Sequence, residues 1–361
     1  MRYLLIDTSN MFFRARHQAH RAADTWTKLG FALHLTIMSA NKVARDFGAD
    51  HVVFALEGRS WRKDHYRPYK ANRTEARQAM SETEAEEDRL FWETYDELTK
   101  YLSTRTNCSV IRCATAEADD IIARWIALHP QDEHIIVSSD SDFVQLVAPN
   151  VKLYNGINDC LFSVEGVKDS KGKSLAFTVE SNSKIKVGKP ADDFAVPMDY
   201  QKWVLFLKCM RGDPGDNVFS AYPGVRLKGT KNQVGLTEAF EDRDRRGYAW
   251  NNLMLQRWVD HESIEHRVLD DYERNRVLID LTAQPDSVKA IVDTAIREQI
   301  SHRDVGMVGA HFLRFCGKFE LTKLSDQAEA VGRWMNETYK GVLDDRSQTH
   351  SGQKILDPQA G

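Results

Sequence analysis

The sequence predicts an α/β protein in which a parallel, twisted central sheet is covered by helices. Three observations carry that reading. Five short apolar runs have strand character, helically periodic segments separate most of them, and four of the runs lead into acidic residues. Alternating strands and helices bury a parallel sheet on both faces.

Tyr3–Ile6 is the first strand and runs into Asp7. Phe31–Phe47 has a helical period, closed by Gly48 as a C-cap. His51–Leu56 is the second strand and runs into Glu57. Thr74–Leu102 reads as one long helix. Ser109–Arg112 leads to Glu117, Asp119 and Asp120 on a helix over Ala116–Leu128, stopped by Pro130. His134–Ser138 leads to Asp140 and Asp142, and Val151–Tyr154 is the fifth strand. Residues 155–195 then change character. Six lysines (168, 171, 173, 184, 186 and 189), turn glycines at 166 and 172, and an alternating run over Leu175–Val179 read as a β-hairpin or loop excursion. It leaves an α/β core spanning residues 1–200. From Met198 to about Thr338 the pattern is helical, so 201–340 reads as a helical region. The polar residues 345–361 read as a disordered tail.

Composition narrows the function classes. The 361 residues are 42% apolar and 28% charged, which suits a globular protein with a sizeable core. No run of 18 apolar residues is present and the N-terminus lacks an apolar signal region, so no membrane partner is expected. The five cysteines form no CxxC pair, which disfavours zinc ribbons and disulfide scaffolds and points to a reducing cytoplasm. A net charge of −4 argues weakly against nucleic acid as a partner, unless acids and bases are segregated.

They are segregated. In a parallel sheet the strand ends share one edge, where α/β proteins place ligands. Asp7, Glu57, Glu117, Asp119, Asp120, Asp140 and Asp142 would meet there, joined by the i, i+3 pair Asp213 and Asp216. An acid after one strand is commonly a turn former or N-cap; four strands ending this way call for another cause. Mutual repulsion among nine carboxylates would raise their pKa values unless cations intervene. All-oxygen ligands suit Mg²⁺ or Mn²⁺ rather than Zn²⁺. Two such ions would suit in-line attack at a phosphodiester.

The bases follow Glu57. Arg59, Arg62, Lys63, Arg67, Lys70, Arg73 and Arg77 lie within 19 residues, interleaved with Trp61, Tyr66 and Tyr69. Basic side chains contact phosphates and aromatic rings stack on unpaired bases. The plainer alternative is a solvated helix whose aromatics pack inward.

Leu5-Ile6-Asp7, Tyr69-Lys70-x-Asn72-Arg73, Glu117-Ala118-Asp119-Asp120, Ser138-Ser139-Asp140-Ser141-Asp142-Phe143 and Arg211-Gly212-Asp213-Pro214-Gly215-Asp216-Asn217 together resemble the flap endonuclease / 5′-nuclease superfamily. The likeness is nearest to its phage ribonuclease H branch, which removes RNA primers. Weaker likeness continues through Asn275–Asp280 and His311–Leu313, covering roughly residues 3–320.

The resemblance implies a PIN/5′-nuclease-like fold with a helical arch at about 60–105. It also implies a helix–three-turn–helix at about Tyr222–Phe240 that grips one duplex strand, often with K⁺. Glu117, Asp119, Asp140, Asp7 and Glu57 would hold one metal; Asp140 or Asp142 with Asp213 and Asp216 would hold the second; Asp120 would assist. Lys70 and Arg73 would contact the scissile phosphate, and Arg14 matches a basic position after the first motif. Arg226, Lys228 and Lys231 would lie on the nucleic acid. Two Mg²⁺ (or Mn²⁺) ions would activate water and stabilise the leaving 3′-oxygen, and Trp61, Tyr66 or Tyr69 would stack on a splayed base. The implied partners are DNA and RNA–DNA duplexes with 5′ ends or flaps and a replication single-strand binding protein. The chain would act as a monomer in the cytoplasm, that of the host if phage-encoded. Three departures stand out: Glu57 in place of Asp, an irregular glycine hairpin at Tyr222–Thr230, and the length of the 155–195 excursion. Competing readings are a structure-specific nucleic-acid binding protein with weak or lost catalysis, a small-molecule phosphatase and a toxin-like ribonuclease.

Overall fold

The computed structural model describes residues 1–18, 24–191, 193–300 and 304–344. The expected tail at 345–361 lies outside the described residues. Five parallel strands form the centre of the sheet: β1 (Arg2–Asp7), β2 (His51–Leu56), β3 (Ser109–Arg112), β4 (Glu133–Val137) and β5 (Val151–Asn155), in the order β3-β2-β1-β4-β5. Each agrees with its apolar run to within one residue. The register pairs Leu5 with Val53 on one side and with Ile136 on the other. Asp7, Glu57 and the residues after Val137 therefore emerge together at one edge.

Helices cover both faces. On one face α1 (Thr8–Gln18), α2 (Thr25–Asp46) and α5 (Glu82–Arg105) pack Phe12, Leu33, Phe91 and Tyr95 into one core. On the other, α6 (Ala118–Leu128) brings Ile121 and Trp125 against Tyr3 and Leu5. α2 starts earlier than its apolar period because Asp24 caps it, accepting from Thr27 N at 2.9 Å. Gly48, at φ +59°, follows its end. The single helix expected over Thr74–Leu102 is two. α4 (Ala71–Gln78) stops, and Ser81 with Glu84 forms a capping box that starts α5. A short α3 (Arg62–His65) precedes them.

The 155–195 excursion is more than one hairpin. β6 (Cys160–Ser163), β7 (Gly166–Asp169), β8 (Ser174–Val179) and β9 (Ile185–Pro190) extend the sheet antiparallel beyond β5. Phe162, Val167, Leu175 and Phe177 alternate onto the second core.

The helical reading after Met198 needs correction at two points. α7 (Tyr200–Arg211), α8 (Leu236–Glu241) and α9 (Tyr248–Met254) build a third core around Phe206, Leu236 and Trp250. A hairpin then intervenes, β10 (Arg257–Val259) with β11 (Glu265–Arg267), its Trp258 stacked on His266 at 4.3 Å. α10 (Val268–Ile279) follows. Beyond it, α11 (Asp286–Gln299) packs Val292 onto the second core, while α12 (Val308–Lys318), α13 (Thr322–Ser325) and α14 (Ala328–Asn336) pack Phe312, Leu324 and Met335 onto the first. The last helices thus belong with the sheet rather than with a separate region spanning 201–340. Among the described residues no helix is long and apolar enough to cross a membrane, and all five cysteines are free and buried.

Candidate functional site

A cleft of about 910 Å³ opens at the carboxyl edge of the sheet. Asp7, Glu57, Glu117, Asp119, Asp140, Asp142 and Asp216 line it, and Lys70, Arg73, Arg14, Lys63 and Arg77 face them. A second cleft of about 680 Å³, walled by Trp26, Phe31 and Phe319, has Glu320 as its one acid among the described residues.

Local structure places each acid. Asp7 ends β1, accepting from Ser138 Oγ at 3.0 Å and Asn10 N at 3.2 Å. Glu117 is the N-cap residue of α6. It accepts from Ser60 Oγ at 2.5 Å and Arg62 Nη1 at 2.7 Å, and it pairs with Lys70. Asp140 caps the 3₁₀ turn Ser141–Leu146, accepting from Asp142 N at 2.9 Å. Asp213 and Asp216 come from the loop after α7, where Gly212 at φ +74° is obligatory: a Cβ there would lie 2.2 Å from Val218 O. That loop is tied to the basic segment. Lys70 N donates to Asp216 O at 2.8 Å and Asn217 Nδ2 to Pro68 O at 2.8 Å. Lys70 itself sits at φ +53°, a strained setting for a lysine held by these two anchors.

Charge explains the protonation behaviour. Burial pushes Asp7, Asp119, Asp140 and Asp216 above the usual carboxylate range. Glu57 opens to solvent within the cleft, yet desolvation by the crowded walls and the charges of Glu117 and Asp7 push it up to about 7. Burial, with Asp140 beside it, raises Asp142 to about 6. Glu117 is as buried as these, but Lys70 and Arg62 hold it down at about 2. Asp213, despite its burial, is kept low by Lys208.

Several expected residues take different places. Arg62 was expected on nucleic acid; it is 1% exposed beneath the cleft. Its guanidinium donates to Glu117, to Asp120 at 3.0 and 2.9 Å, and to Leu278 O at 2.8 Å. Tyr69 is likewise buried, its hydroxyl 3.1 Å from Glu117 Oε2 and 3.0 Å from Asp216 Oδ2. Trp61 is buried with Nε1 donating to Asp120 at 3.1 Å. Neither ring is open for stacking, so for these side chains the inward-packed alternative holds. Tyr66 is half-buried against Phe219 and Arg274. Arg59 pairs with Asp64, and Arg67 and Arg77 are exposed, Arg77 over the Trp92 ring. Arg14 lies against Gly156 at the cleft wall. Arg226, Lys228 and Lys231 are exposed on the loop before α8, away from the acids. In that loop Glu238 accepts from Gly229 N at 3.0 Å and Gly235 N at 2.9 Å. A Cβ on either glycine would come within 2.5 Å of backbone, which accounts for the irregular glycine spacing.

Sequence reasoning missed Lys208, in the last turn of α7, which bridges Asp142 and Asp213. It also missed Gln284, whose Nε2 donates to Asp120 at 2.8 Å, and the wall formed by Phe13 and Trp92. Only the five-residue step from Lys208 to Asp213 hinted at the first; nothing local marks the others.

Glu117, Asp119 and Asp120 each bring one ligand oxygen within 4.8 Å of the others, a separation that one divalent cation can span. Asp120 is fully buried, and both its oxygens already accept from Arg62. Four cations (Arg62, Lys70, Arg73 and Lys208) pair with six of the nine carboxylates, so the acids outnumber their paired bases by five. The donor set is all oxygen. Both facts fit hard divalent ions.

Comparison with known proteins agrees. Residues 2–172 match the family described as 5′-3′ exonuclease, N-terminal resolvase-like domain. Over 243 residues the chain is 25% identical to flap endonuclease Xni of Shewanella loihica, covering 66% of this chain and 77% of that protein. Over 235 residues it is 28% identical to DNA polymerase I of Rhizobium leguminosarum, covering 64% of this chain but only 18% of the polymerase. The crystal structure of the bacteriophage T5 D15 protein with metal ions superposes with a TM-score of 0.55 at 18% identity, over 83% of this chain and 98% of that one, a likeness of fold. The family match lies over the strands that deliver the acids, and with the relatives it supports the flap endonuclease / 5′-3′ exonuclease superfamily.

Proposed function

We propose that this chain is a metal-dependent 5′-nuclease that hydrolyses phosphodiester bonds in flapped, nicked or RNA-primed duplexes. The observation that carries the reading is the convergence of seven carboxylates, from four strand ends and the α7 loop, on one cleft, with Lys70 and Arg73 set among them. Asp7, Glu57, Glu117, Asp119 and Asp140 would hold one Mg²⁺ or Mn²⁺, and Asp142, Asp213 and Asp216 a second. Such ions supply a water of lowered pKa and charge stabilisation for the leaving oxygen.

The chain's own residues do the rest. Lys70 and Arg73 lie on the cleft wall, paired with Glu117 and Asp216, and would neutralise non-bridging phosphate oxygens. Arg62 and Asp120 hold the start of α6 in one pose beneath them. The solved T5 flap endonuclease complex contains DNA and metal ions, which supports the same class of substrate here.

The test is cleavage of a 5′-labelled forked duplex with Mg²⁺, with EDTA, and with Asp140→Asn. Metal-dependent cutting near the junction, lost in the variant while binding persists, is the expected result. Full cutting by Asp140→Asn at low metal would overturn the assignment.

A further inference from the structure

The four added strands carry exposed lysines that the cleft described above does not use. Chain direction fixes which of their turns face the cleft. β5 ends at the carboxyl edge, so the turn 156–159 lies there; Ile157 lines the cleft and Gly156 touches Arg14. β6 runs away from that edge and β7 returns, which brings the turn 170–173 to it. β8 runs away again, so the turn 180–184 lies at the far edge. Lys171 and Lys173 are thus on the cleft side, and Lys184 and Lys186 at the opposite end.

All four are exposed, and none forms an ion pair among the described residues. The acids of the cleft-side turns are engaged elsewhere. Asp169 Oδ1 accepts from Lys171 N and Lys173 N, both at 2.9 Å. Asp159 accepts from Tyr154 OH at 2.6 Å and pairs with Lys42. Both ammonium groups therefore stay free while the turn is held in shape by its own carboxylate. The platform beneath is fixed as well: Phe162, Val167, Leu175 and Phe177 are buried, and Tyr200 OH donates to Ser163 O at 2.8 Å.

Lysines on an outer strand have a common explanation, protection of a sheet edge against pairing. It fits Lys184, Lys186 and Lys189, on or beside the edge strand β9. It does not fit Lys171 and Lys173, which lie on an inner turn between β7 and β8. At about 4.8 Å per strand that turn sits roughly 12 Å from β5. This is less than half a turn of B-form duplex, about 34 Å.

We propose that the β7–β8 turn, through Lys171 and Lys173, is a contact surface for the phosphate backbone of the nucleic acid whose scissile end occupies the cleft. The inference rests on the nuclease reading above. The surface is electrostatic and makes no base contact, so it adds affinity without sequence preference.

The experiment compares the full-length wild type with Lys171→Ser/Lys173→Ser and Lys184→Ser/Lys186→Ser. Binding to a labelled forked duplex is measured in Ca²⁺ from 50 to 200 mM salt, and cutting in Mg²⁺ at saturating substrate. Loss of two phosphate contacts should reduce the salt slope by about 1.8, so the salt-induced loss of affinity across that range shrinks about tenfold. That change is expected for the 171/173 variant alone, with saturated cutting unchanged in both. A wild-type slope in the 171/173 variant, or an equal change in the 184/186 variant, overturns the proposal. Wild-type cutting in the same samples reports separately on the nuclease reading: if it persists while the slopes agree, only the surface is refuted; if wild type neither binds nor cuts, both fall.

Discussion

Replacing Arg62 by methionine is the sharpest test of the architecture beneath the cleft. Arg62 is 1% exposed and Asp120 is 0% exposed, so neither charge has water to fall back on. The guanidinium makes two bonds to Asp120 and one each to Glu117 and Leu278 O. Removing one partner of a buried ion pair costs about 3–5 kcal/mol, because the other charge is left uncompensated. Asp120 would retain Trp61 Nε1, Gln284 Nε2 and Glu117 N as donors. Those three neutral bonds place the expected loss near the lower end, about 3 kcal/mol. With a urea m-value of about 3 kcal/mol/M, the midpoint falls by about 1 M. Adding Asp120→Asn removes the orphaned charge and should recover at least about 1 kcal/mol of that. Urea unfolding of the two single variants and the double, in chelator, measures the cycle. If Arg62→Met keeps wild-type stability but binds a forked duplex more weakly, Arg62 is a nucleic-acid contact and the buried clamp is wrong.

Three further predictions follow from the charges. Glu57 titrates near 7 in the fold against about 4.5 in the unfolded chain, so its contribution to metal-free stability falls as pH rises from 4.5 to 7. Glu57→Gln should therefore raise the melting temperature in EDTA at pH 8 and leave it unchanged at pH 4.5; no gain at pH 8 would count against the crowding. His134 is buried with neither ring nitrogen bonded, and burial lowers its pKa to about 4. The unfolded chain then binds the extra proton below pH 6.5, and stability is lost as pH falls through that window. His134→Phe should gain up to about 2 kcal/mol relative to wild type at pH 5 beyond any change at pH 8, and parallel pH profiles of the two proteins would refute this. Lys208→Met leaves Asp142 and Asp213 facing each other, so the chelated protein should melt lower and gain more on adding Mg²⁺ than wild type does; equal metal-induced shifts would exclude Lys208 as a resident counter-charge.

The sheet was legible because its strands are buried on both faces. His51–Leu56 and Val151–Tyr154 are apolar runs with no helical alternative of comparable length, and the acids after four of the five runs, Glu57 among them, mark where those strands emerge. Helix starts were less legible: Asp24 and Ser81 act through side-chain capping, which does not disturb the apolar period on either side. β10 and β11 were invisible, since Arg257–Val259 and Glu265–Arg267 are three residues each and carry no alternation. In the site, the carboxylates could be read because many of one type collect at one edge. The roles of Arg62 and Tyr69 could not, because a basic or aromatic residue in a charged segment looks alike whether it faces phosphate or lies beneath the cleft. That distinction depends on Asp120 and Leu278, 58 and 216 residues from Arg62, and on Glu117 and Asp216, 48 and 147 residues from Tyr69.

Three of the four cations among the acids divide into two kinds, and the division bears on how the cleft responds to metal. Arg62 is enclosed, always charged, and bonded in a planar fork to groups at the start of α6 and in α10. Its charge is permanent and cannot leave, so it fixes Glu117 and Asp120 whether or not metal is present. Lys70 and Lys208 are different. Both retain partial exposure, 15% and 12% of the side chain, and each carries its ammonium on a flexible stem between two carboxylates. An ammonium so placed supplies one positive charge where a divalent ion would supply two, and it can rotate away without unfolding anything. Arg62 therefore maintains the geometry of the cleft, while Lys70 and Lys208 limit its repulsion. That is why removing Arg62 should be felt first in stability, and removing Lys208 first in the response to metal.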